Sequence, residues 1–98
     1  MDYFGLFLAG TLLCNAIPHL ISGLRGETFF TPWAKPRGVG RSSALENVLW
    51  GAANLLVSVL LIDRIFPHDV PHGLVAIAIG FVGMGIFLAL YFGRRQKS

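Results

Sequence analysis

Charge is what this sequence has least of. Only 13% of its 98 residues are Asp, Glu, Lys or Arg, where soluble domains carry roughly 25%. A chain this short, one domain at most, has a high surface-to-volume ratio and needs polar residues to cover itself in water. With 54% hydrophobic residues, its surface would be adhesive in water and solvated in lipid. Cysteine is nearly absent too. Cys14 stands alone, which excludes an internal disulfide framework. It sits in an apolar run, where cysteine behaves as a small hydrophobe. A lipid-modified cysteine or a cleaved secretory signal would call for a basic n-region, but Asp2 is the only early charge and bulky Leu13 precedes Cys14.

Enzyme motifs are also missing. There is no glycine-rich phosphate loop, no nucleophile elbow and no pair of catalytic carboxylates. Gly38-Val39-Gly40 is too short for a phosphate cradle and follows no strand. The reading is therefore not an enzyme, with no cofactor and no metal. His68 and His72 are four apart, but Pro71 intervenes and no further ligand is nearby, so they read as a solvated turn.

What is present is three long apolar runs. The first, residues 3–24, would extend roughly 33 Å as a helix, enough for a bilayer core. It contains Pro18, which removes a backbone hydrogen bond and crowds the carbonyl of Cys14, so a kink is expected there. A polar connection, 25–42, follows, with Pro32, Pro36, Gly38 and Gly40 and four basic residues. No helix should persist through it. Its Phe29, Phe30 and Trp33 suit the headgroup zone.

The second helix, 43–66, opens on Ser43-Ala44-Leu45-Glu46, a capping-box sequence, and Pro67 stops it. A short turn, 67–72, leads to the third helix, 73–93, with Asp69 expected as the N-cap and Pro71 in the first turn. Residues 74–92 contain no charge, and Tyr91 is the one clear hydrogen-bonding side chain. A soluble amphipathic helix would show a polar face. The fold expected is an all-α transmembrane three-helix bundle with a kinked first helix and an interfacial first loop.

The net charge of +3 could suggest nucleic acid, but the positions of the charges argue against it. Seven of the eight Lys and Arg are Arg25, Lys35, Arg37, Arg41, Arg94, Arg95 and Lys97. They border apolar runs on what three spans make one side of the membrane. That side is expected to be cytoplasmic, giving N-out and C-in.

Polar residues inside the spans form a seam. Thr11, Asn15, Pro18 and Ser22 are spaced 4, 3, 4, as are Asn47, Gly51, Asn54 and Ser58. Each set lies on one helix face. With the helices antiparallel, Asn15 and Asn54 fall near mid-membrane, and His19 near the depth of Asn47 and Trp50. Asparagine facing hydrocarbon is costly. The seams should therefore face each other, as packing glue or as a polar intramembrane site around Asn15, His19, Asn47, Trp50 and Asn54 for a proton, ion or small ligand. Ala76, Gly80 and Gly83, and Gly85, Ala89 and Gly93, are small residues at helical spacing. Gly80, Gly83, Gly85 and Ala89 are the expected helix–helix interface, within one chain or between copies.

The segments Asn15-Ala16-Ile17-Pro18-His19, Phe30-Thr31-Pro32 through Gly38-Val39-Gly40 to Ser42-Ser43, and Asn47-Val48-Leu49-Trp50-Gly51 with Asn54 resemble a family of small, uncharacterised bacterial multi-pass membrane proteins. The resemblance covers roughly residues 3–58; the third helix is similar only in hydrophobicity. It implies a bacterial cytoplasmic membrane and no mechanism. Two functions stand from the residues. One is a structural or accessory membrane protein that self-associates into a homo-oligomer or joins a larger complex. The other is a transporter or channel for a small solute, ion or proton. Haem or quinone binding through His19 and Trp50 is a third.

Overall fold

The computed structural model describes residues 1–34 and 40–97. Lys35, Pro36, Arg37, Gly38 and Val39, part of the expected basic loop, lie outside the described residues. Among the described residues there are three α-helices: α1 Asp2–Leu24, α2 Ala44–Ile65 and α3 Gly73–Lys97. All three are long and apolar enough to cross a membrane, and they pack as a bundle. The fold is an all-α bundle of three helices suited to span a membrane.

Helix α1 is the centre. It packs against both α2 and α3, which barely touch each other. Within the three apolar spans, 39% of α1 is buried inside the bundle, against 22% of α2 and 11% of α3. A central helix must leave room on two sides, and the buried face of α1 is mostly small: Gly5, Ala9, Gly10, Cys14 and Ala16, with Leu6 and His19. Pro18 lies within α1, which continues past it to Leu24. The helix ends in a glycine-dependent cap. Gly26 takes φ 73°, donating to the Gly23 carbonyl at 3.0 Å, while Glu27 donates to that of Ser22 at 2.8 Å. This paired arrangement requires a left-handed residue, which glycine adopts without strain.

Helix α2 is apolar outside and polar inside. Its buried residues are Asn47, Gly51, Asn54, Ser58 and Ile65, while Leu45, Leu49, Leu56 and Leu60 are exposed. Lipid solvates leucine at no cost, so the side chains that need partners turn inward. Its start is the capping box read from the sequence. Glu46 N–H donates to Ser43 Oγ at 3.1 Å, and Ser43 N–H donates to Glu46 Oε1 at 2.8 Å.

At the other end of α2, Phe66–His68 forms a single 3-10 turn. Asp69 does not cap α3, contrary to expectation. It closes the 3-10 turn, donating to the Phe66 carbonyl at 3.0 Å with φ 55°. His72, at φ 58°, turns the chain again before α3 begins at Gly73. Two left-handed residues reverse direction within four positions, leaving Pro71 ahead of the helix. The N-terminus is fastened to this turn. Tyr3 donates its hydroxyl to the Pro71 carbonyl at 2.8 Å, and Asp2 Oδ2 meets His68 Nδ1 at 3.1 Å. No group of three His, Cys, Asp or Glu converges for a metal among the described residues.

Candidate functional site

At the end of the bundle where α1 gives way to α2, the connecting loop folds back onto the helices. Phe29 and Ser42 exchange backbone hydrogen bonds of 3.2 and 2.7 Å, and the hydroxyls of Thr31 and Ser42 are hydrogen-bonded. Thr31, Ala34 and Ser42 are buried. A backbone that enters a low-dielectric region needs every polar group paired, and Asn47 supplies the pairing. Its Nδ2 group faces the carbonyls of Phe29 at 3.2 Å, Ser42 at 3.2 Å and Ser43 at 3.0 Å. With two hydrogens for three acceptors, one is shared. Asn47 is fully buried, and it is the anchor of the loop rather than only a seam residue.

The remaining atom of that amide orders the next residue. Asn47 Oδ1 lies 2.8 Å from His19 Nδ1. Turning the amide over would set an oxygen against three carbonyl oxygens, so its orientation is determined. Oδ1 can only accept, and His19 Nδ1 must donate. A neutral imidazole carries a single N–H, so Nε2 holds a lone pair. No described residue pairs with it. Phe29 packs edge-on to the imidazole, with ring centroids 5.4 Å apart.

One to two turns deeper, Asn15 Nδ2 donates to Asn54 Oδ1 at 3.1 Å, and Asn54 Nδ2 donates to the Trp50 carbonyl at 2.8 Å. Asn15 Oδ1 is left without a partner among the described residues. Beyond them Ser58, fully buried, donates to the Ala9 carbonyl at 2.8 Å. The seam does not extend evenly along α1: Thr11 donates to the Leu8 carbonyl of its own helix at 2.7 Å.

Next to Asn15 and His19 lies a cavity of about 320 Å³, with Phe30, Thr31 and Pro32 from the loop, Trp50 from α2, and Phe87, Leu88, Tyr91 and Phe92 from α3 completing its lining. Asn15 and His19 of α1 bring amide and imidazole groups to the lining, and the loop and α3 bring most of its aromatic rings. Phe30 stacks on Phe92 with centroids 5.5 Å apart, and Phe87 on Tyr91 at 5.8 Å. Trp50 packs edge-on to Trp33 at 5.4 Å. Its indole N–H is buried with no acceptor among the described residues, an arrangement that costs about 1–3 kcal/mol. Trp33 reaches Glu46 Oε2 at 3.3 Å, and Arg41 lies over the Phe30 ring at 4.7 Å. Aromatic rings and an arginine thus gather at the loop end.

Of the residues singled out from the sequence, Asn15, His19, Asn47, Trp50 and Asn54 stand together at this end of α1 and α2. The small residues of α3 separate. Gly80 is buried at the crossing with α1, and a Cβ there would fall on the Phe7 carbonyl. A Cβ at Gly85 would lie 3.5 Å from Cys14 Sγ. Gly83 has open space where a side chain would be, and Ala89 is exposed. The loop aromatics and the α3 residues 87–92 were not legible as site residues, because nothing in a uniformly apolar run marks which rings will meet a folded-back loop.

No family model, no curated protein and no solved structure matches the chain. The resemblance described from residues 3–58 therefore gains no support from them, and the site must be read from its own geometry.

Proposed function

We propose that this membrane protein binds a small lipophilic molecule in the cavity beside Asn15, His19 and Trp50. The observation that carries the reading is the break in pairing at that place. Along the rest of the α1–α2 seam the buried polar groups have partners; at the cavity, His19 Nε2 and Asn15 Oδ1 have none among the described residues, and the Trp50 indole N–H enclosed beside it has none among them either. Pockets that take small molecules are largely apolar with a few convergent polar groups, and this one has that make-up. Binding is favoured over conduction because the seam beyond the cavity is filled by the Asn15–Asn54 and Ser58–Ala9 contacts. In this reading the membrane is a bacterial cytoplasmic membrane, and the cavity lies toward the cytoplasm, on the side of the basic loop and tail.

Native mass spectrometry from mild detergent, with a panel of lipophilic probes, tests the binding. A probe should add stoichiometrically to the wild type and be lost in Leu88→Trp, which fills the cavity from α3. Equal binding by both would remove the cavity from the reading. A reporter fused after Ser98 and active only outside the cytoplasm should be silent; activity would reverse the orientation.

Self-association is a second reading, favoured by the outer face of α3. There Gly83 leaves a shallow apolar groove between Val75, Ala78, Ile79, Val82 and Ile86. A second copy seated there would be lost in Gly83→Leu, read as a drop in the mass of the detergent-solubilised assembly. An unchanged mass would end this reading.

A further inference from the structure

The polar inventory of the cavity is specific enough to name a ligand chemistry. The three carbonyls around Asn47 Nδ2 hold its amide in one orientation, and Asn47 Oδ1 then holds the proton of His19 on Nδ1. The second nitrogen of the ring is thereby an acceptor. Asn15 Oδ1 is another. The Trp50 indole N–H, without an acceptor among the described residues, is enclosed beside the cavity and not open to it. A carbonyl ligand would set its lone pairs against His19 and Asn15. A cation would be drawn to the ring faces but finds no carboxylate in the lining to neutralise it. A hydroxyl has a hydrogen to donate, and so answers either acceptor.

The rest of the lining selects what carries the hydroxyl. Phe30, Phe87, Tyr91 and Phe92 present ring faces and edges, which favour another aromatic ring by offset or edge-on packing. The volume of about 320 Å³ has room for a single substituted six-membered ring.

We propose that the cavity takes a planar aromatic ring bearing a hydroxyl, a phenol or hydroquinone, with that hydroxyl donating to His19 Nε2 and the ring lying among Phe30, Phe87 and Phe92. The proposal rests on the reading of the cavity as a binding site and adds the chemistry of its occupant. It also predicts a preference for the reduced form of a quinone headgroup, since the oxidised form has no O–H to give.

The test is titration of the full-length protein in lipid nanodiscs, following tryptophan fluorescence. The probes are 4-butylphenol, its methyl ether, and a hydroquinone with a short isoprenoid tail, each compared at equal mole fraction in the lipid. The phenol should bind about tenfold more tightly than the ether, as expected for the loss of one buried hydrogen bond. The hydroquinone should bind more tightly than its oxidised counterpart. In His19→Phe the preference for phenol over ether should fall to about twofold or less. Should that variant fail to fold, as judged by circular dichroism and elution volume, the smaller His19→Leu supplies the second arm and should also narrow the preference. Tighter binding of the tailed hydroquinone than of the phenol points to a membrane hydroquinone as the source, and equal binding to a free phenol; both outcomes support the shared chemistry. Equal binding of phenol and ether to the wild type would overturn the aromatic-hydroxyl proposal while leaving a binding cavity. Binding of none of the probes would overturn both.

Discussion

Helix α1 meets α2 through side-chain hydrogen bonds and meets α3 through bare backbone. On the α2 side the contacts are Asn15 to Asn54, His19 to Asn47 and Ser58 to the Ala9 carbonyl. On the α3 side the crossing is built on Gly10 and Gly80. A Cβ on Gly10 would fall on the Ile77 carbonyl, and one on Gly80 on the Phe7 carbonyl. Lipid offers no hydrophobic drive for helices to associate, so close packing and interhelical hydrogen bonds must hold them together. On the α2 side the hydrogen bonds are joined by close glycine contacts, since a Cβ on Gly23 would lie 2.7 Å from the Ala44 carbonyl oxygen, whereas the α3 side relies on close packing. The difference has a functional consequence. A hydrogen-bonded interface can leave individual donors and acceptors unpaired at a chosen depth, whereas a glycine crossing has nothing to leave. The unpaired groups accordingly come from α1 and α2, while α3 contributes rings.

The comparison can be broken first at the glycine crossing. Gly80→Leu forces side-chain atoms onto α1 backbone that cannot retreat, and should cost about 3 kcal/mol or more; unfolding by titrated denaturing detergent, followed by circular dichroism, measures it. Asn47→Ala should come next, at about 2–4 kcal/mol, because it strips the loop carbonyls and His19 Nδ1 of partners together. Its mark would be faster proteolysis within residues 27–42, with α1 and α3 still protected. The Asn15–Asn54 pair should matter less. Interhelical hydrogen bonds in lipid average about 0.6 kcal/mol, so a double-mutant cycle of Asn15→Ala and Asn54→Ala should return a coupling of about that size. A coupling above about 2 kcal/mol would place this pair on a par with Asn47. Gly83→Ala should be neutral for folding, within about 0.5 kcal/mol, since open space lies at its Cβ position; a clear loss would show that this glycine has a packing partner.

Much of the architecture was readable from residue order. The capping box at Ser43 and Glu46 needs only residues three apart, and both of its hydrogen bonds are present. The stripe Asn47, Gly51, Asn54 and Ser58 was readable because helical periodicity gathers those positions on one face, and all four are buried. On α3 the same reasoning had nothing to work with. When nearly every side chain is apolar, no polar face marks the outside, and Gly80, Gly83 and Gly85 are equivalent in pattern. Only the crossing with α1 tells them apart. The misplaced cap at Asp69 has a similar origin. Its type suits an N-cap, but the left-handed conformations of Asp69 and His72 spend those residues on reversing the chain.

By itself, then, the order of residues determined three helices long and apolar enough to cross a membrane and the polar stripe on α2, because length, hydropathy and 3.6-residue periodicity are local properties. Tertiary structure decided that α1 stands in the middle, that Asn47 ties down the loop and sets the proton of His19, and that a cavity with unpaired polar atoms opens beside rings from α3. Each of these depends on groups distant along the chain meeting at hydrogen-bond or van der Waals distance, and no local pattern encodes which distant groups will meet.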